Sequence, residues 1–182
     1  MRIALVCRDE PPVRWSDAGQ CFLTLARALS AQGHDVHLIT ENTGAKRPTL
    51  SVEGRLRIRR LSVPGEGVGA PRRAMDFAVE AARVLARMAR RGEIDAVELV
   101  DIDGTAAPWL LGRAALPDAA VPTVVSLQSH ALDARSAGAV AAFADALVAP
   151  TEACARAAGV HTVLPNPVEC GSPLRGAQGG PP

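Results

Sequence analysis

Two acidic pairs in this sequence follow apolar runs, where buried strands would present them to a ligand. Asp9 and Glu10 come after IALVC, and Asp101 and Asp103 come after AVELV. A phospho-acceptor receiver domain uses such acids, here with Asp101 or Asp103 as the acceptor, together with a lysine from a later strand. The only lysine is Lys46, in an early loop, and the first loop is long for such a domain. The sequence therefore argues against phospho-acceptor chemistry.

The cysteines and His130 are the remaining candidates for nucleophilic or metal chemistry. No cysteine forms a C-x-x-C pair and no histidine lies at zinc-ligand spacing from one; the cysteines are Cys7, Cys21, Cys154 and Cys170. The chain has no G-x-S-x-G motif, and no motif supplies His130 with a serine or cysteine partner. We therefore predict no metal site, no such nucleophile, and thiols that stay reduced, as in a cytosolic protein.

The loop after the first strand argues against a dinucleotide cofactor. NAD and FAD sites need G-x-G-x-x-G at this place, so that the backbone can approach a pyrophosphate. The segment here is RDEPPVRWSDAG, whose single glycine is Gly19. We predict no dinucleotide cofactor in this chain.

Hydrophobic patterning predicts the elements that would position these residues. Apolar runs of strand length, or alternating ones, cover residues 3–7, 35–40, 55–61, 94–100, 121–127, 145–150 and 160–165. Helical patterns lie between them, at about 20–32, 72–91, 105–116, 134–144 and 151–159; residues 42–54 are polar and turn-rich, and residues 64–71 are a loop. We expect Ser16 or Asp17 to cap the first helix and Gly33 to end it. Alternation of strands and helices predicts an α/β fold with a doubly wound, mainly parallel, Rossmann-like sheet. Ligands of such sheets bind at the carboxyl ends of the strands.

Length and composition limit the alternatives. The chain has 182 residues, 48% of them hydrophobic, and a formal net charge of +1. We predict one domain, residues 1–168, and a Gly/Pro-rich stretch, 169–182, that is a disordered tail or the start of an interdomain linker. No apolar segment reaches transmembrane length, so we expect neither a membrane span nor a targeting peptide.

Residues 55–91 form a basic stripe, with ten arginines against three acidic residues. Arg83, Arg87 and Arg90 are spaced by four and three, which places them on one helical face. The plain interpretation is a solvated helix surface. The sharper one is a surface for an anionic acceptor or an anionic membrane. Nucleic acid is disfavoured, because no aromatic residues are interleaved to stack bases.

Five segments match a known pattern in the right order. The most specific is LARALSAQGHDVHLIT (25–40), read as L-A-x-x-L-x-x-x-G-H-x-V; the others are IDAVELVDIDGTAAPWLLG (94–112), VPTVVSLQSH (121–130), ADALVAPTEACA (144–155) and VLPNPVE (163–169). The chain resembles the N-terminal domain of GT-B fold glycosyltransferases, in particular glycosyltransferase family 4. The resemblance covers about residues 1 to 169.

The resemblance implies roles on the donor side of a cleft. His130 matches the family histidine near the donor sugar; the alternative is a loop histidine that caps nearby backbone. Gly19, with Ala18 and Gln20, would let the backbone approach the donor diphosphate at a helix N-terminus, where unpaired N–H groups favour anions.

The resemblance implies further roles on the acceptor side. Arg14 and Trp15 would shape the acceptor pocket. Asp101 and Asp103 would bind acceptor hydroxyls or cap the following helix, the cap being the favoured role for Asp103. The hinge between the two domains would lie at Asn166 and Pro167.

The resemblance also implies an activity and what completes it. Such enzymes transfer a glycosyl group from a nucleotide-sugar to an acceptor hydroxyl, with retention and without a metal. The donor, a UDP- or GDP-sugar, is bound by a C-terminal domain, which we expect in the same gene or in a second chain. We expect this chain to hold the acceptor, a glycan, lipid or small molecule, and to be inactive alone. The alternative is a non-catalytic glycan- or partner-binding protein derived from such a domain. We expect it in the cytoplasm, with the inner membrane surface as a peripheral site.

Overall fold

The computed structural model describes residues 1–11, 16–42, 47–63, 70–101, 104–114, 121–127, 140 and 142–165. Seven strands in this part of the chain form one sheet, in the order β3-β4-β2-β1-β5-β6-β7. The strands are β1 (Arg2–Val6), β2 (Asp35–Glu41), β3 (Thr49–Glu53), β4 (Leu56–Leu61), β5 (Ala96–Asp101), β6 (Thr123–Leu127) and β7 (Ala146–Val148). All neighbours pair in parallel except β3 and β4. The predicted α/β class with a mainly parallel sheet is confirmed.

Helices pack on both faces of the sheet. They are α1 (Asp17–Ala31), α2 (Ala70–Arg90), α3 (Ala107–Ala114) and α4 (Glu152–Ala158). Phe22 of α1 packs in one core with Leu5 and Leu38, which point to one face because strand residues alternate. Phe77 of α2 and Trp109 of α3 pack in the other core, on the opposite face. Parallel strands therefore end at one edge, with a helix layer on either side of it.

Local sequence explains where α1 begins and ends. Ser16 is the N-cap residue, and its hydroxyl accepts a hydrogen bond from the backbone N–H of Gly19 at 3.0 Å. Gly33, with φ of 90°, adopts the left-handed conformation that ends the helix. The backbone N–H groups of Gly33 and His34 then bond to carbonyls of the last turn. The predicted cap and stop of this helix are confirmed, with Ser16 rather than Asp17 as the cap.

Two predicted elements differ from the structure. Residues 42–54 were expected to be turn-rich, but Thr49–Glu53 forms β3, antiparallel to β4 through a turn at Gly54 with φ of 60°. As an edge strand it leaves Leu50 and Val52 exposed, so it lacks the apolar run that marks a buried strand. The last strand, predicted at 160–165, is reduced to one parallel bridge between Ala149 and Val163.

Boundaries shift by a few residues elsewhere. α2 begins at Ala70, inside the predicted loop, because Pro71 fits the first turn of a helix. α3 covers a shorter range than predicted, Ala107–Ala114. The predicted helix 134–144 lies largely outside the described residues. Of the residues in this range that the structure describes, Val140 and positions 142–143 are helical.

Candidate functional site at the carboxyl ends of the strands

The first turn of α1 lies against the loop that follows β1. A Cβ atom on Gly19 would be 2.8 Å from the carbonyl oxygen of Asp9 and 3.1 Å from the Ser16 hydroxyl. Residue 19 must therefore be glycine for the loop and helix to approach this closely. This packing is a structural reason for the glycine, separate from the diphosphate contact that the resemblance implies.

The two neighbours of Gly19 are also engaged in the fold. Ala18 is buried in the core beneath α1. The Gln20 amide donates to the Thr24 hydroxyl at 3.3 Å, one turn along the helix. Because these side chains face the core and the helix itself, contact with a donor would have to come from the backbone N–H groups of this turn.

A buried ionic cluster fixes the same loop from the other side. Glu41, at the end of β2, is 3% exposed and makes ion pairs with Arg8 at 3.0 Å and with Arg73 of α2. The backbone carbonyl of Arg8 accepts from the Thr40 hydroxyl and from the Glu41 N–H, each at 3.0 Å. Burial of a carboxylate is tolerated only with such partners. The cluster ties β1, β2 and α2 together at the ligand-binding edge.

A second ion pair extends this cluster toward the sheet edge. Glu10 is buried, and both of its carboxylate oxygens accept from Arg60 of β4, one of them at 2.6 Å. Arg60 also donates to the Ser51 hydroxyl of β3 at 2.9 Å. The sequence reasoning missed these pairs. The one feature of the sequence that could have indicated them is a charged residue at the end of an apolar strand, such as Glu41 after VHLIT.

Asp101 has a structural role at the end of β5. It is 0% exposed, and its Oδ1 accepts from the backbone N–H of Ala106 at 2.9 Å, just before α3 begins. Asp101 therefore holds the turn into α3, one of the two roles that the sequence left open for it. Acceptor binding by Asp101 remains a prediction.

A groove runs along the α1 face of the sheet, beside this edge. It has a volume of about 310 Å³ and is mostly apolar; its lining includes Cys21, Leu25, Val148, Pro150 and Leu164. One carboxyl group, that of Glu98 on β5, also lines it, and it accepts from the Ser126 hydroxyl at 2.7 Å. Burial raises the pKa of Glu98, and the hydrogen bond from Ser126 offsets part of this effect. Glu98 belongs to the segment 94–112 but was not singled out from the sequence.

Two of the cysteines described by the structure are poor nucleophiles. Cys7, Cys21 and Cys154 are all buried. Burial raises the pKa of Cys7 to about 12 and that of Cys21 to about 11, so both stay protonated at neutral pH. Across the described ranges, no group of three or more metal-ligating side chains is assembled.

Several predicted site residues lie outside the described residues: Arg14, Trp15, Asp103, His130, Asn166 and Pro167. Their predicted roles are untested. Arg83, Arg87 and Arg90 are described, and all three are exposed on α2, whose core packing is on the face opposite to α1. They are not part of the edge formed by the loop after β1.

The comparisons with known proteins identify the class. The sequence profile of the glycosyl transferase 4-like domain matches residues 18–169, most of the chain. The chain belongs to this family, and its domain is glycosyltransferase-like and of the GT-B type, as predicted. No curated protein sequence matches the chain.

Solved structures share the fold at low identity. A sucrose-phosphate synthase fragment from Thermosynechococcus elongatus aligns with a TM-score of 0.63 at 15% identity, covering 93% of this chain and 90% of its own. The catalytic domain of starch synthase IV from Arabidopsis thaliana, bound to ADP and acarbose, aligns with a TM-score of 0.56 at 15% identity, covering 81% of this chain. A trehalose-6-phosphate protein from E. coli, bound with UDP-2-fluoro glucose, aligns with a TM-score of 0.54 at 13% identity, covering 87% of this chain.

The chain spans less than half of the longer neighbours. It covers 44% of the starch synthase domain, 42% of the E. coli protein and 47% of the longer sucrose-phosphate synthase chain. Among the helices described, none is long and apolar enough to cross a bilayer.

Proposed function

We propose that this chain is the acceptor-binding half of a retaining, nucleotide-sugar-dependent glycosyltransferase. It would hold an acceptor hydroxyl while a C-terminal GT-B domain, in the same gene or a second chain, binds the donor. Hexosyl transfer would occur between the two halves, so the chain alone would not turn over. The proposed domain is residues 1–168, with 169–182 as a tail or the start of the linker.

The groove on the α1 face is the observation that carries this proposal. The apolar wall of this groove includes Val148 of β7 and residues 164–165, and Leu164 is 56% exposed. Apolar surface of this kind is typical of a face that another domain covers. The longer GT-B neighbours, of which this chain spans under half, have the additional length for such a domain.

The proposed donor contacts follow the family pattern. His130 would act near the donor sugar, and the backbone around Gly19, with Ala18 and Gln20, would face the diphosphate. The neighbours carry ADP or a UDP-sugar analogue, which supports a nucleotide-sugar co-substrate. We propose a UDP- or GDP-sugar and no metal.

The proposed acceptor contacts are Arg14 and Trp15 in the first loop and Asp101 and Asp103 after β5. The acceptor would be a glycan, a lipid or a small molecule. Nucleic acid is not proposed as a partner. Buried thiols are consistent with a reducing compartment, and we propose the cytoplasm.

A second candidate is a non-catalytic binding protein derived from the same domain. The stable packing of the α1 turn and the ionic cluster would serve binding as well as catalysis. Reading the coding DNA after residue 182 and in the adjacent gene separates the two. A second α/β domain with a paired-glutamate motif supports the enzyme, and its absence from both places supports the binding protein.

A binding measurement tests the acceptor role itself. The chain would be titrated with a glycan and glycolipid panel, with no nucleotide-sugar present, and compared with Trp15→Ala and with Trp109→Phe as a buried control. Acceptor binding that Trp15→Ala alone weakens supports the proposal. If no acceptor binds, and a separate titration shows that the chain binds a nucleotide-sugar, the proposal is contradicted.

A further inference from the structure

The surface between α2 and α3 has an apolar groove that the proposed glycosyl transfer does not use. It has a volume of about 380 Å³, and its apolar walls are Val79, Ala82 and Ala86 of α2 and Pro108, Trp109 and Gly112 of α3. Most of these side chains are small. We call it the α2–α3 groove.

One rim of the α2–α3 groove is positively charged. Arg83 and Arg90 line it, Arg87 lies between them in sequence, and all three are exposed. Seven residues of helix place Arg83 and Arg90 about 10 Å apart along the axis. Arg83 pairs with Glu80, whereas no ion pair within the described part of the chain uses Arg87 or Arg90.

An exposed apolar residue follows the α3 side of the groove in sequence. Leu111 of α3 is 55% exposed and precedes Gly112, which lines the groove. Arg113, the arginine of α3, is paired with Asp145 at 2.5 Å and also donates a hydrogen bond to the carbonyl of Val121. A surface with a cationic rim, an apolar trough and an exposed leucine has the amphipathic profile of an element that lies in a membrane interface.

We propose that the α2–α3 face binds an anionic phospholipid surface. Arg83, Arg87 and Arg90 contact lipid phosphates, Leu111 enters the interface, and the α2–α3 groove takes part of an acyl chain. Nucleic acid fits less well, because Trp109, the aromatic residue of the groove, is 2% exposed and offers no stacking surface. This inference goes beyond the proposed function and holds whether or not the chain transfers sugar.

Vesicle co-sedimentation tests the charged rim. The full chain would be mixed with phosphatidylglycerol or phosphatidylcholine vesicles at low salt. Binding to the anionic vesicles only is expected, and the triple change Arg83→Gln, Arg87→Gln, Arg90→Gln should weaken it about 100-fold. The matched control is Arg55→Gln, Arg57→Gln, Arg156→Gln, which removes the same charge elsewhere. These arginines lie in the turn before β4, on β4 and on α4, and their side chains are 57%, 42% and 74% exposed. Equal loss in both triples, or no binding to anionic vesicles, would overturn the proposal.

A groove-filling variant tests the acyl-chain contact. A Cβ atom on Gly112 would meet nothing within 4 Å, so Gly112→Leu should fold and occupy the α2–α3 groove. We expect about tenfold weaker vesicle binding, since a few methylene groups of the lipid lose their burial. Unchanged or tighter binding would refute the acyl-chain contact. Poly-glutamate and inorganic phosphate serve as soluble anions: competition by either at micromolar concentration would show a soluble partner and overturn the lipid assignment.

Discussion

The close approach of α1 to the loop after β1 can be tested at Gly19. In Gly19→Ala the new Cβ atom would lie 2.8 Å from the carbonyl oxygen of Asp9, a backbone atom that cannot rotate away. Either the helix or the loop must shift by several tenths of an ångström. The ionic cluster of Glu41 with Arg8 resists the loop's movement, because Arg8 and Asp9 are adjacent.

The magnitude follows from two opposing contributions. Alanine in place of glycine favours a helix by up to about 1 kcal/mol, and less in the first turn. Overpacking against backbone costs about 1–3 kcal/mol. We therefore expect Gly19→Ala to lower the free energy of unfolding by about 1–2 kcal/mol. Gly112→Ala is the matched control, because it makes the same change in a helix with no atom within 4 Å, and should stabilise by about 0.5–1 kcal/mol.

Urea unfolding followed by circular dichroism measures the free energy of unfolding of both variants, and thermal unfolding measures their Tm. A chain of this size shifts its Tm by about 2–4 °C per kcal/mol, so the two variants should melt several degrees apart, on opposite sides of the parent. If Gly19→Ala is as stable as Gly112→Ala, the inference that close packing against Asp9 requires glycine at position 19 is wrong. A stable Gly19→Ala would leave an approach to donor phosphates as the remaining reason for the glycine.

Three further substitutions test other contacts, each by urea unfolding. Ser16→Ala should cost about 1 kcal/mol through loss of the N-cap hydrogen bond, whereas a change within 0.2 kcal/mol would refute the cap. Glu41→Ala should cost about 3 kcal/mol, near the lower end for a broken buried ion pair, because Arg73 keeps some contact with solvent. Glu152→Ala is the control, because Glu152 pairs with Arg156 on the surface. Equal effects of the two substitutions would contradict the burial of the cluster. Glu98→Gln should stabilise at neutral pH and have little effect near pH 4. Folding raises the pKa of Glu98, so the protonated carboxyl contributes stability that is full below the pKa of the unfolded chain. This stability is lost as the pH rises through the pKa of the folded chain. If Glu98→Gln stabilises equally at all pH values, this assignment is contradicted.

The sheet was predictable because its central strands carry a strong apolar signal. IALVC, DVHLIT and IDAVELV are buried on both faces, and such runs are typical of parallel strands. The five segments that resemble the family predicted the order of the elements along the chain. β3 was missed because an edge strand with exposed Leu50 and Val52 differs little from a polar turn.

The candidate site was predictable in position but not in detail. The predicted alternation of parallel strands and helices placed the loops at one edge, and a cap at Ser16 or Asp17 followed from residue type. The pairs made by Glu41 and Glu10 join residues far apart in sequence, and no local pattern specifies which arginine meets which carboxylate. Asp101 holds the turn into α3, one of the two roles predicted for it, because its side chain reaches the N–H of Ala106. The cap favoured for Asp103 stays a prediction.

The measurement that tests the central claim most directly is sugar transfer by the reassembled enzyme. The chain would be combined with the donor-binding domain encoded after or beside it, and incubated with labelled UDP- and GDP-sugars and the acceptors that bind it. We predict transfer only when both parts are present, with retention at the anomeric carbon and with loss of most activity in His130→Ala. Full activity of the donor-binding domain without this chain, or of the pair with His130→Ala, would contradict the account.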